Sequence, residues 1–141
     1  YGMPYIIEPM AARGGLIDDP FDADVISHNC RMAVEVGADV IKTDWSGSTA
    51  SFRTVVDAVD APILVAGGAH EGDDKGVHTL IADLMKAGSK GILFGRNLFQ
   101  AKDPTAMMAE ARRLIYEAPA PSRPKPRARK TTRRTQRRRA S

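Results

Sequence analysis

Lys42 stands at the end of the apolar run in ADVIKTDWSGS, residues 38–48, after Ala38, Val40 and Ile41 and before Thr43 and the DWSGS loop. In a parallel α/β fold, side chains that do chemistry sit at the carboxyl ends of strands, where loops can close over them. An amine whose ammonium is partly desolvated holds its proton less tightly, and the free amine adds to a carbonyl to form a Schiff base. The structural alternative is a four-carbon stem packed on the rim with its charged head in water. Two further segments, AGG (66–68) and GRN (95–97), each follow an apolar run. Glycine lets backbone N–H groups approach an anion closely, and an arginine adds a fork of donors. Gly67, Gly68, Gly95 and Arg96 are thus a candidate phosphate cradle, although a glycine after a strand also serves as a plain turn. Together the three segments predict a phosphorylated carbonyl substrate, with its phosphate between two loops and its carbonyl over Lys42.

The other candidates have structural readings of comparable weight. Asp44 and Ser46 follow Lys42 and are placed to touch substrate hydroxyls or to cap the next helix. Trp45 either shields an imine from water or packs against a helix. Asp18 and Asp19 suit a turn. His28, His70 and His78 lack the spacing of a metal cluster, so neither a metal nor a cofactor is expected. Cys30 lies on a predicted helix and reads as a packed small hydrophobe.

These residues need a scaffold, and the hydrophobic periodicity supplies one. Strands are predicted at 4–10, 38–43, 61–68 and 90–97, the third a continuous apolar run of the kind covered on both faces. Helices are predicted at 22–37, 48–59, 77–88 and 103–118. Val25, Ile26, Cys30, Ala33, Val34 and Val36 make the apolar face of the first helix. Phe52, Val55, Val56 and Val59 make that of the second. Gly37 closes the first helix, Ser48 or Thr49 opens the second, and Asp103 with Pro104 opens the last. The pattern is βα repeated four times, and right-handed crossovers turn it into a parallel sheet with helices outside.

Four units are few for this design. A (β/α)8 barrel needs eight and about 250 residues, whereas a four-stranded parallel sheet leaves apolar surface and open edges. With a strand beginning almost at Tyr1, the expectation is the second half of a barrel, strands five to eight. A complete small doubly wound domain is the alternative. In the barrel reading the glycine segments follow strands seven and eight, whose loops commonly form a phosphate site.

Composition divides the chain in two. Of its 21 Lys and Arg residues, ten fall in 118–141, which hold none of the 17 Asp and Glu. Residues 1–117 therefore carry 11 basic and 17 acidic side chains, net −6. The tail has no aromatic or large aliphatic residue, so it is expected to be disordered. Its cations would hold polyanions such as RNA or DNA nonspecifically, by counterion release, or would merely solubilise the chain. A single cysteine excludes an internal disulfide and suits a reducing compartment. No apolar run approaches the roughly 20 residues of a bilayer span, and YGMPYIIEPM is not a secretory signal. A cytoplasmic protein without a membrane partner is expected.

GADVIKTDWSGSTASFRTVV, APILVAGG and AGSKGILFGRNLFQAKDPTAMMAEARRLIYE resemble the archaeal-type class I fructose-bisphosphate aldolases. Their relatives in the deoxyribose-phosphate aldolase superfamily include the 2-amino-3,7-dideoxy-heptulosonate synthases and the autoinducer-2 phosphate processing enzyme. The resemblance covers about Gly2 to Glu117 and implies a (β/α)8 barrel. It matches Lys42 to the Schiff-base lysine of strand six, and Gly67, Gly68, Gly95 and Arg96 to positions that hold the substrate phosphate. It also marks two departures. The family's acid/base tyrosine falls in EPMAARGG, nearest Met10 or Ala11, neither of which transfers a proton; Glu8 is either the nearby substitute or a solvated carboxylate at the strand end. Strands one to four, with an aspartate the family carries there, have no counterpart.

Two functions follow from this reading. One is a class I lyase acting on phosphorylated sugars, fructose-bisphosphate aldolase-like, completed by homo-oligomerisation or by a complementing N-terminal half-barrel. The other is a catalytically incomplete barrel fragment with a phosphate-binding rim and a polyanion-binding tail.

Overall fold

Each long helix starts where a side chain accepts the orphan N–H groups of its first turn. Asp22 accepts from Asp24 and Val25, Ser48 from Ser51, Asp73 from Lys75, and Asp103 from Thr105 and Ala106. Such caps contribute about 1 kcal/mol each. In the computed structural model, which describes residues 2–11, 17–69 and 72–117, they open α1 (Ala23–Glu35), α2 (Thr49–Asp57), α3 (Asp74–Ala87) and α5 (Pro104–Tyr116). A single turn, α4 (Arg96–Phe99), precedes the last helix, and the strands are β1 (Ile6–Ile7), β2 (Val40–Thr43), β3 (Ile63–Ala66) and β4 (Gly91–Leu93).

The four strands are all parallel and lie in sequence order, β1-β2-β3-β4. Consecutive order with right-handed crossovers puts every helix on the same face of the sheet. On that face Ile41, Ile63 and Val65 meet Ile26, Cys30 and Ala33 of α1, Phe52 and Val55 of α2, and Leu84 and Met85 of α3. A second cluster, Val77 and Ile81 with Ala101, Met107 and Ala111, fastens α5 to α3. By alternation along the strands the opposite face carries Ile6, Val40, Lys42, Leu64, Ala66 and Leu93. Nothing in the described chain covers it, and Ile6 and Leu93 are 50% and 40% exposed.

The exposed large apolar side chains follow a pattern. Met3, Tyr5, Ile6, Met10, Phe21, Met32, Val34 and Val36 belong to the first βα unit, and Leu93, Phe99, Met108 and Tyr116 to the last. Among the described residues none lies between 37 and 92. The middle units have a neighbour on each side, and the outer two each lack one.

Several predicted boundaries move, each for a local reason. β1 is two residues long instead of seven, because Pro4 and Pro9 have no N–H to give the ladder and the Tyr5 N–H goes to the Asp39 carboxylate, at 2.7 Å. α3 starts at Asp74 instead of 77, since Asp73 caps it. β4 stops at Leu93 because Leu98 and Phe99 return their N–H groups to the Gly95 carbonyl and form α4, which the sequence reading missed. Val34 and Val36, expected on the buried face of α1, are exposed; Val36 already caps the helix, followed by Gly37 at φ +95°. The predicted disordered, polyanion-binding tail at 118–141 lies outside the described residues, as does His70. Among the described residues, no helix is long and apolar enough to cross a membrane.

Cys30 is fully buried, and that burial pushes its thiol up, a hydrogen bond with Thr43 offsetting part of the rise. A raised thiol keeps its proton in the fold at a pH where the unfolded chain has lost it. This contribution is fully present below the unfolded value of about 8.5 and is lost as pH rises toward the folded value. Unfolding curves of the wild type and Cys30→Ala should therefore diverge above pH about 8.5, the wild type losing stability faster; parallel curves would contradict it.

Candidate active site at the carboxyl edge of the sheet

The position of Lys42 follows from strand alternation. Ile41 and Thr43 point into the helical layer, 0% and 3% exposed, and Thr43 is hydrogen-bonded to Cys30 there. Lys42 therefore projects from the open face, at the strand end, with 29% of its side chain accessible. β1 and β2 pair Ile6 with Val40 and Ile7 with Ile41, so one further step sets Glu8 beside Lys42. The Glu8 carboxylate lies 2.8 Å from Lys42 Nζ, its side chain 40% accessible. An ion pair this open stabilises a fold by about 1 kcal/mol at most. Its interest is chemical: a carboxylate within hydrogen-bond reach of an amine can take the proton the amine must shed before attacking a carbonyl.

The next two strand ends carry the glycines. Ala66 pairs with Leu93, which sets the Gly67–Gly68 turn beside the Phe94–Gly95–Arg96 turn. Gly67 is there because nothing larger fits: an added Cβ would sit 2.7 Å from Phe94 Cδ1 and 2.8 Å from Asn97 Nδ2. Gly68 has φ +65°, a conformation that L side chains rarely adopt. Gly95 and Arg96 are exposed, Arg96 being the first residue of α4. Asn97, 3% exposed, donates its side-chain amide to the Gly67 carbonyl and so joins the two turns. The sequence reading missed Asn97. It sits in a four-residue turn too short to show periodicity.

The structure brings Glu8 to Lys42 and sets the two glycine turns side by side along the same edge. It gives Ser46 a local role: its hydroxyl lies 2.8 Å from Ser51 Oγ, and Ser51 Oγ also donates to the Ser46 carbonyl. The cap of α2 itself is Ser48, so Ser46 sits beside the cap and does not form it. Trp45 packs on Phe52, ring centroids 5.1 Å apart, with the core behind it. Asp44 is half-buried. Asp19 accepts the Phe21 N–H at 2.8 Å, a turn role. Among the described residues, no group of three His, Cys, Asp or Glu could hold a metal ion. A groove between α2 and α3 is lined by Trp45, Ser48, Asp73, Lys75, Thr79 and Asp83, and not by Lys42 or the glycine turns.

A parallel sheet in chain order, its helices on one face and its polar groups at the carboxyl edge, is the architecture of a β/α barrel. The chain belongs to the DeoC/LacD family of aldolases, whose model matches residues 1–101. It is 43% identical over 116 residues to the 2-amino-3,7-dideoxy-D-threo-hept-6-ulosonate synthase of Halobacterium salinarum, covering 82% of this chain and 43% of that protein. It is 35% identical over 113 residues to the 2-amino-4,5-dihydroxy-6-oxo-7-(phosphonooxy)heptanoate synthase of Streptomyces griseus, covering 80% and 41%. Among solved structures, an archaeal fructose 1,6-bisphosphate aldolase superposes with a TM-score of 0.76 at 26% identity, over 82% of this chain and 46% of that one. A Schiff-base-forming fructose-1,6-bisphosphate aldolase superposes with a TM-score of 0.75 at 27% identity, over 81% and 46%. The expected class I aldolase family is borne out, and the parallel α/β sheet fits the barrel. The chain spans less than half the length of each of these relatives.

Proposed function

We propose that this chain carries the imine-forming and phosphate-binding half of a class I aldolase acting on a phosphorylated ketose or aldehyde. One observation carries the reading: Lys42 Nζ, on the open face at the carboxyl edge, lies 2.8 Å from the Glu8 carboxylate. Lys42 gives its ammonium proton to Glu8, and its lone pair adds to the substrate carbonyl. Loss of water from the carbinolamine, with that proton returned to the departing hydroxyl, leaves an iminium. When the adjacent carbon–carbon bond breaks, its electron pair moves into the iminium to give an enamine, and the hydroxyl of the departing fragment gives its proton to the Glu8 carboxylate or to water as it becomes a carbonyl. Protonation of the enamine and hydrolysis free the second product and Lys42. Gly67, Gly68, Gly95 and Arg96 hold the phosphate, and Asp44 lies on the loop nearest the substrate hydroxyls. The names of the relatives, a phosphonooxy-heptanoate synthase and fructose-bisphosphate aldolases, support this substrate class.

In this reading the chain supplies strands five to eight of the barrel. The apolar surface confined to the first and last units, together with the uncovered sheet face, supports closure against four further βα units, from a second copy or a complementing half-barrel. Size-exclusion chromatography should show an assembly larger than one chain, and a stable monomer with native-like near-UV circular dichroism would count against closure.

The same open face favours a second reading, an incomplete barrel that binds phosphate without turnover. Borohydride reduction in the presence of dihydroxyacetone phosphate separates the two. The aldolase gains the mass of the substrate less one oxygen, since water leaves and two hydrogens are added, whereas a binding fragment remains unmodified.

A further inference from the structure

Asn97 joins the two halves of the anion cradle, and the peptide it holds has a fixed geometry. The Gly67 carbonyl and the Gly68 N–H belong to one planar trans peptide unit, so they point in opposite directions. The Asn97 amide, carried by α4, holds the Gly67 carbonyl, and this fixes the orientation of the peptide unit that carries the Gly68 N–H. The position is crowded enough to hold this orientation. The amide of Asn97 and the ring of Phe94 fill the space a Gly67 side chain would occupy, and Asn97 itself is 3% exposed. Gly68 at φ +65° lies on the accessible side of the turn. We propose that Asn97 is a positioning residue for the phosphate: by holding the Gly67 carbonyl it fixes the orientation of the Gly67–Gly68 peptide and the separation of the two glycine turns. This rests on the phosphate-cradle reading above and adds the residue that orients it. Asn97 touches no reacting atom; it acts through the backbone of another loop.

The test uses the full chain and inorganic phosphate, followed by ¹⁵N–¹H spectra in which the Gly68 amide is the reporter. In the wild type the Gly68 amide should shift saturably with phosphate. In Asn97→Ala the apparent Kd should rise about tenfold, the loss expected when one N–H bond to a charged group is misaimed. Asn97→Ser keeps a short donor and should stay closer to the wild type than Asn97→Ala. It also provides a folded variant if the alanine substitution unfolds the chain. Trapping at Lys42 gives a readout that general disruption would not reproduce. Half-saturation for dihydroxyacetone phosphate should rise by a similar factor, while trapping of unphosphorylated dihydroxyacetone should be unchanged. A wild-type Gly68 amide indifferent to phosphate would overturn the cradle itself. A wild-type shift with both Asn97 variants within twofold of it would leave the cradle standing and overturn the role of Asn97.

Discussion

Lys42→Met should abolish the borohydride-stable adduct with dihydroxyacetone phosphate and, in the closed barrel, lower aldol cleavage by about 10⁴-fold or more, since the covalent route disappears with the amine. Methionine keeps most of the length and the apolar stem of the lysine and removes the nucleophilic amine with its charge. The fold should tolerate the change. Lys42 is 29% accessible on a face without helices, and the Glu8 carboxylate left behind is 40% accessible and can be solvated. Unfolding midpoints should therefore move by no more than the roughly 1 kcal/mol of an exposed pair. A Lys42→Met chain that cleaves substrate within about tenfold of the wild type would place the chemistry elsewhere.

The second large effect is expected at Glu8. Glu8→Gln preserves the shape and one acceptor oxygen but cannot take up a proton, so imine formation should slow by about 10²–10³-fold, within the range for loss of a general base. Binding of the phosphate, carried by turns on two other strands, should be little changed, so the loss should appear in kcat and not in KM. The variant should still trap substrate when given long enough, because Lys42 remains. The measurement is the pre-steady-state rate of adduct formation at several substrate concentrations. A loss below about threefold would reduce Glu8 to a simple ion-pair partner.

The sequence made the repeating unit legible because the helices carry apolar residues at helical spacing, with Ser48 and Asp103 marking two of their starts. Ile26, Cys30 and Ala33, or Phe52 and Val55, are readable as faces from the sequence alone. Lys42 was legible for a similar reason: in a two-residue alternation, Ile41 and Thr43 take the buried face and leave the lysine the other. Three features were not. The shortness of β1 depends on which N–H groups Pro4 and Pro9 lack and on Asp39 taking that of Tyr5. Glu8 is a proton-transfer candidate in the sequence, but its ion pair with Lys42 depends on the register of β1 against β2. Asn97 reaches the Gly67 carbonyl across 30 residues of sequence, and no local pattern encodes that contact.

Mapping the trapped adduct by peptide mass tests the imine proposal most directly. After borohydride reduction with dihydroxyacetone phosphate, the account predicts the reduced three-carbon phosphate on Lys42 alone. Label on Lys75, Lys86, Lys90 or Lys102, or spread evenly over the lysines, would contradict it.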